Sequence, residues 1–97
     1  MTIKQIRIEL TQKVKTIEPI GKKLKFAMDG EYILIDGSKD TNIVTAINED
    51  ADCTITMSID TYLKLQRKEI KPLIATLKGK LKVKGNIALA QKLKQLM

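Results

Sequence analysis

The stretch Gly79-Lys80-Leu81-Lys82-Val83-Lys84-Gly85-Asn86-Ile87-Ala88-Leu89-Ala90-Gln91-Lys92-Leu93 changes its hydrophobic period once, at Gly85-Asn86. Before that point Leu81 and Val83 alternate with Lys80, Lys82 and Lys84, the period of two that turns one face of a β-strand inward and the other to water. Three lysines on the outward face of one short strand predict a sheet edge, guarded against pairing with another chain. After it, Ile87, Leu89, Ala90, Leu93, Leu96 and Met97 predict a closing helix that covers a wider apolar surface than a single stripe.

Upstream, Pro72 suits the first turn of a short helix holding Leu73, Ile74 and Leu77, and Gly79 ends it. Ser58 is an N-cap with Asp60 in the turn after it, which predicts a helix from Ile59 to about Gln66 with Ile59, Tyr62 and Leu63 on its apolar side. A strand should precede it from about Ala51 to Met57, with Ala51, Cys53, Ile55 and Met57 on one face and Asp52, Thr54 and Thr56 on the other. Thr41 to Ala46 reads as a further strand. Leu24, Phe26 and Met28 form one face of a strand that ends at Asp29-Gly30, a two-residue hairpin signal. The return strand, Glu31 to Ile35, is apolar on both faces and should be covered on each. Residues 2 to 18 carry Ile3, Ile6, Leu10, Val14 and Ile17 at helical spacing, and Pro19 and Gly21 stop that helix. The order is helix, three strands, a fourth strand, two short helices, a fifth strand and a closing helix, an α+β domain filling residues 1–97.

The composition bounds the chemistry. Only Phe26, Tyr32 and Tyr62 are aromatic, so the interior is aliphatic; that suits an adaptable apolar cavity, although composition alone favours a plain core. Residues 1 to 61 hold eight Lys/Arg against ten Asp/Glu, whereas residues 62 to 97 hold ten against Glu69 alone, a balance of +9. A basic third of this kind suits nucleic acid, an anionic membrane surface or plain solubility. With only three aromatics in the chain there is no base-stacking platform, which counts against nucleic acid.

The chain contains no histidine and one cysteine, Cys53. That excludes Ser-His-Asp and Cys-His nucleophile systems, the usual zinc sites and an internal disulfide. Asp36 and Asp40 flank a polar turn and are accounted for by side chain to backbone bonding there. No phosphate-binding glycine loop is present, since Gly79-Lys80 lacks both the preceding glycine and the following Ser/Thr. Neither catalysis nor a cofactor is expected. The N-terminus has no apolar run, and Lys94-Gln95-Leu96-Met97 is not a Ser-Lys-Leu address, so a cytoplasmic protein is expected.

The Gly79–Leu93 stretch resembles the closing strand and helix of the sterol carrier protein 2 family. Asp52-Cys53-Thr54-Ile55-Thr56-Met57-Ser58 is similar to that family's fourth strand, which enters a helix through a serine. Tyr62, Pro72, Ala75 and Gly79 match its helix, proline and glycine, and the Asp29-Gly30 hairpin fits as well. The resemblance covers roughly residues 22 to 97, with the first helix agreeing in position only. It implies a five-stranded mixed sheet covered by helices on one side, with an apolar tunnel between them, and a non-catalytic protein that binds or transfers a fatty acid, fatty acyl-CoA, sterol or similar lipid. Phe26, Ile33, Ile35, Met57, Leu77, Leu89, Leu93 and Leu96 are the candidate lining. The basic last third would then meet a lipid head group, or an anionic membrane during loading. A nucleic-acid module and a scaffold domain with a closed pocket are the alternatives.

Overall fold

A computed structural model describes residues 1–97. Helix α1, Ile3–Lys13, begins at Thr2, whose hydroxyl accepts the Gln5 N–H at 3.2 Å while the Gln5 side chain accepts the Thr2 N–H at 2.8 Å, a reciprocal cap. A single 3₁₀ turn, Val14–Thr16, ends it short of the expected residue 18. Strands β1, Lys23–Met28, and β2, Glu31–Asp36, form the expected hairpin. Its turn residues, Asp29 and Gly30, have φ of 49° and 82°, the positive values that such a turn demands. Asp29 does more than turn the chain, because its carboxylate accepts the Ile59 N–H at 3.0 Å and so pins the start of the next helix.

Strand β3 is reduced to Ile43–Thr45 and β4 to Cys53–Met57, both shorter than the sequence pattern suggested. Helix α2 runs Ile59–Gln66, capped by Ser58 Oγ, which accepts the Thr61 N–H at 3.1 Å. Helix α3, Pro72–Leu77, is followed by β5, Leu81–Gly85. The closing helix is two pieces, α4, Ile87–Ala90, and α5, Leu93–Leu96, hinged at Gln91-Lys92.

The strands lie in the order β3-β2-β1-β4-β5, with β1 and β4 parallel and every other pair antiparallel. Register puts Leu24, Phe26, Ile33, Ile35, Cys53 and Ile55 on one face, all fully buried. With Ile3, Ile6, Leu10, Tyr62, Ala75 and the last helices they make a core of 19 residues. The edge predicted for the lysine-rich strand is found: β5 has one neighbour, and Lys82 and Lys84 are exposed. The opposite face is crossed by a loop instead of a helix. Lys25 reaches from β1 to the Asn48 side chain and the Glu49 carbonyl, each at 3.0 Å, and Leu34 is buried on that face. The Asp36 carboxylate accepts the Ser38 N–H at 3.0 Å, the local turn bond expected of it. No helix is long and apolar enough to cross a membrane.

Candidate functional site

The site grows from a junction at the end of β5. Gly85 hands the chain to Asn86, whose side chain accepts the Leu89 N–H at 3.1 Å and starts α4. Helix α4 then lies against β4 and β5 and α5 follows it, with Leu89, Leu93 and Leu96 driven into the core. Lys13 fixes the far end by donating to the Leu96 carbonyl at 3.0 Å.

Opposite them sits α3, which is weakly held. Of its six residues only Ala75 is buried. Between α3 on one side and α4–α5 on the other lies an apolar cleft of about 300 Å³. Ile55, Leu81 and Val83 of the sheet floor it, Leu73 and Thr76 form one wall, and Ile87, Ala90 and Leu93 the other. A second cleft of about 270 Å³ meets it at Pro72 and Lys94 and continues past Leu65 and Ile70 to Met97. On its α2 side α3 borders a third groove, of about 650 Å³, where Lys64, Lys68, Lys71, Lys78 and Lys80 stand with Glu69, Ile70 and Ile74. Two contiguous apolar clefts thus run beside a basic groove.

Of the eight residues expected to line a cavity, Leu93 alone lines a cleft. Phe26, Ile33, Ile35, Met57, Leu89 and Leu96 are packed into the closed core at 5% exposure or less. Leu77 corrects the sequence reading most sharply, because it is 75% exposed. Its helix turns Ala75 inward, and Leu77, two positions further on, falls on the opposite side. The cavities are open clefts, not the enclosed tunnel that the resemblance implied, since Leu89, Leu93 and Leu96 fill the space beneath the last helices. Val83, Ile87 and Ala90, which do line the larger cleft, carry the same apolar signal as core residues.

Buried titratable groups are few. Burial, with a smaller contribution from Glu9, pushes the Tyr62 phenol up to about 12. Its hydroxyl has no hydrogen-bond partner. Burial also raises the Cys53 thiol, which keeps it protonated and unreactive. No three His, Cys, Asp or Glu side chains stand together as metal ligands. The clefts offer apolar surface edged by cations, which suits an amphiphile with an anionic end.

Comparison with known proteins identifies the fold. The model of the SCP-2 sterol transfer family matches residues 3–97. Hydroxysteroid dehydrogenase-like protein 2 of Bos taurus is 38% identical over 91 residues, which is 93% of this chain and 21% of that protein. Human sterol carrier protein 2 is 45% identical over 49 residues, covering 50% of this chain and 9% of that one. The chain therefore spans about a fifth or less of these relatives. Among solved structures, palmitated SCP2L2 from Aedes aegypti superposes with a TM-score of 0.73 at 20% identity, covering 96% of this chain and 91% of the other. At that identity the likeness is one of fold.

Proposed function

Because this chain belongs to the SCP-2 sterol transfer family, whose domains bind apolar lipids, we propose that it is a non-catalytic carrier taking the acyl chain of a fatty acid or similar lipid into the clefts between α3 and α4–α5. One observation carries the reading: the apolar clefts run on directly into a basic groove, sharing Lys68, Ile70 and Lys71 with it. An acyl chain has apolar walls on one side of that boundary, and a carboxylate or phosphate has lysines on the other.

The energetics need no dedicated polar motif. Each buried methylene contributes about 0.8 kcal/mol, so a sixteen-carbon chain contributes at most roughly 10–12 kcal/mol before ordering costs. The larger cleft, at about 300 Å³, lies at the small end of ligand pockets, which run roughly 300–1,000 Å³. A long chain requires α3 to move outward. With only Ala75 buried, that displacement gives up little apolar contact. Cargo is exchanged with an anionic membrane surface, the partner that the basic last third suits.

Titration with a fluorescent fatty acid, together with native mass spectrometry of the protein mixed with palmitate, tests this. Saturable binding with one bound lipid is expected. Val83→Phe keeps a good strand former and fills the cleft floor, so it should weaken binding about tenfold, the equivalent of roughly two methylenes of lost burial.

The filled space beneath Leu89, Leu93 and Leu96 favours one second reading, a closed domain that presents surfaces and carries nothing. Absence of lipid binding in both measurements would select it.

A further inference from the structure

The sheet has two edges, and only one of them is guarded. Strand β5 carries exposed Lys82 and Lys84, which discourage a further strand from pairing there. Strand β3 carries no such guard. It lies within residues 41–48, eight positions that form the longest stretch without Lys, Arg, Asp or Glu in a chain that is 30% charged. Ile43 and Ile47 in that stretch are 50% and 55% exposed.

The register decides what this edge offers. Met28 and Glu31 close a two-residue hairpin and so exchange both of their main-chain bonds. Such bonded pairs alternate along an antiparallel ladder, which makes Phe26–Ile33 and Leu24–Ile35 the next two. The Gly37 N–H continues the series by donating to the Lys22 carbonyl at 3.0 Å. Tyr32, Leu34 and Asp36 therefore aim their N–H and C=O groups the other way, where Leu34 and Asp36 meet Thr45 and Ile43 of β3. Val44, between those two, turns its own N–H and C=O out past the sheet. Its side chain stays on the core face, opposite Ile35.

We infer that two copies of this chain pair through β3, antiparallel about a two-fold axis at Val44. The Val44 N–H of each copy then donates to the Val44 carbonyl of the other, and Ile43 of each lies beside Thr45 of its partner. The segment is its own complement. An axis at Val44 matches its outward donor and acceptor with each other, and an uncharged stretch sets no like charges face to face. Pairing of this kind also closes the assembly. Two five-stranded sheets become one of ten strands, whose remaining edges are both the lysine-bearing β5. Contact of β3 with β5 of another copy would instead run on as a filament, against those lysines. The larger apolar cleft is floored by β4 and β5, at the far end of the sheet from β3. It stays open in both copies, so the inference does not depend on what the cleft carries.

Sedimentation velocity on the full chain, from about 10 μM to about 1 mM, tests this; a small interface predicts a weak monomer–dimer equilibrium and nothing larger. The Val44 amide should exchange with solvent deuterium more slowly in concentrated than in dilute protein. Val44→Pro removes only the outward N–H, which an edge strand tolerates, and should raise the dissociation constant at least about tenfold. Ile43→Lys combined with Thr45→Lys sets like charges directly opposite and should give a monomer, as should Ile43→Glu combined with Thr45→Glu. An equal mixture of those two double variants should give a mixed dimer, which the Val44 register predicts. Circular dichroism checks each fold. Should Val44→Pro unfold, the charged pairs decide alone, since they alter only exposed and half-buried side chains. Leu77→Asp, at an exposed position of α3, should dimerise as the parent does. A monomer at every concentration overturns the inference, and so do assemblies beyond the dimer. A dimer that persists in the charged variants, or one that Leu77→Asp dissolves, overturns it as well.

Discussion

Gly85 passes so close to Asp52 that the Asp52 carbonyl occupies the space a Cβ on Gly85 would need. The same carbonyl accepts the Asn86 N–H at 2.8 Å, and the Asp52 carboxylate accepts the Lys23 N–H at 2.9 Å. This one contact sets where β5 leaves the sheet and at what angle α4 starts over the cleft. Gly85→Ala meets a backbone clash as well as a φ of 97°, and should cost about 2–4 kcal/mol in urea unfolding. Gly79, with φ of 72° and nothing within 4 Å of a built Cβ, is the control. Gly79→Ala should cost only about 1 kcal/mol, the backbone contribution alone.

The Tyr62 hydroxyl is the one buried side-chain polar atom without a partner. Tyr62→Phe removes that unsatisfied group and should leave stability at neutral pH unchanged or raise it by up to about 1 kcal/mol. Alkaline behaviour should differ more. The phenol is pushed from its usual 10 up to about 12 in the folded protein, so the native state holds its proton more tightly than the unfolded chain. That contribution is whole below pH 10 and is lost as pH rises through about 12. Over this window the wild type should lose about 2–3 kcal/mol more than Tyr62→Phe. Urea midpoints across the window, with phenolate absorbance at 295 nm as a second signal, measure it.

Local patterns in the chain announce most of this fold. The lysine alternation from Lys80 to Lys84 announces an edge strand, Asp29-Gly30 a hairpin and Ser58 a helix start, because each depends on residues within a few positions of one another. What such patterns do not carry is what lies opposite. Leu77 sits on the apolar side of its helix in sequence, yet only the arrangement of α2 and β5 decides that nothing covers it. Asp29 reads as a turn residue, and its bond to Ile59 spans thirty positions. The cleft is harder still to see in sequence, since Ile55, Val83 and Ala90 along a pocket wall have the same composition as Phe26, Ile33 and Ile35 inside the core.

Asn42 shows the same limit and yields a sharp test. Its side-chain oxygen accepts the Ile20 N–H at 2.9 Å, and its amide donates to the Val14 and Glu18 carbonyls at 3.2 and 3.1 Å. One side chain thereby ties the end of α1 to the start of β3 through three bonds. Asn42→Ala should cost about 1–3 kcal/mol, with the orphaned groups accounting for most of it. Asn42→Asp keeps the acceptor but sets a carboxylate against two carbonyls, so it should be at least as destabilising at neutral pH and recover toward acid. Thermal unfolding at two pH values separates these outcomes.

The last prediction concerns α3, because the carrier reading requires it to yield. A helix of six residues has little stability of its own, and its only buried side chain is Ala75. The amides of Ala75 and Lys78, bonded to the carbonyls of Lys71 and Ile74 at 3.0 Å, should exchange with solvent deuterium through local opening. Those of Phe26 and Ile55 on the central strands should exchange only through global unfolding. Adding fatty acid at about a hundred times its dissociation constant should then slow exchange by up to about a hundredfold at α3, β5 and α4. Amides that exchange through global unfolding are slowed wherever the ligand sits; among those that open locally, added protection confined to these elements places the cargo between them, since ligand contact suppresses the openings that expose that cleft. Equal slowing of locally opening amides in β3 and α1, with none added at α3, would place the ligand elsewhere, and the cleft between α3 and α4–α5 would lose its claim as the site.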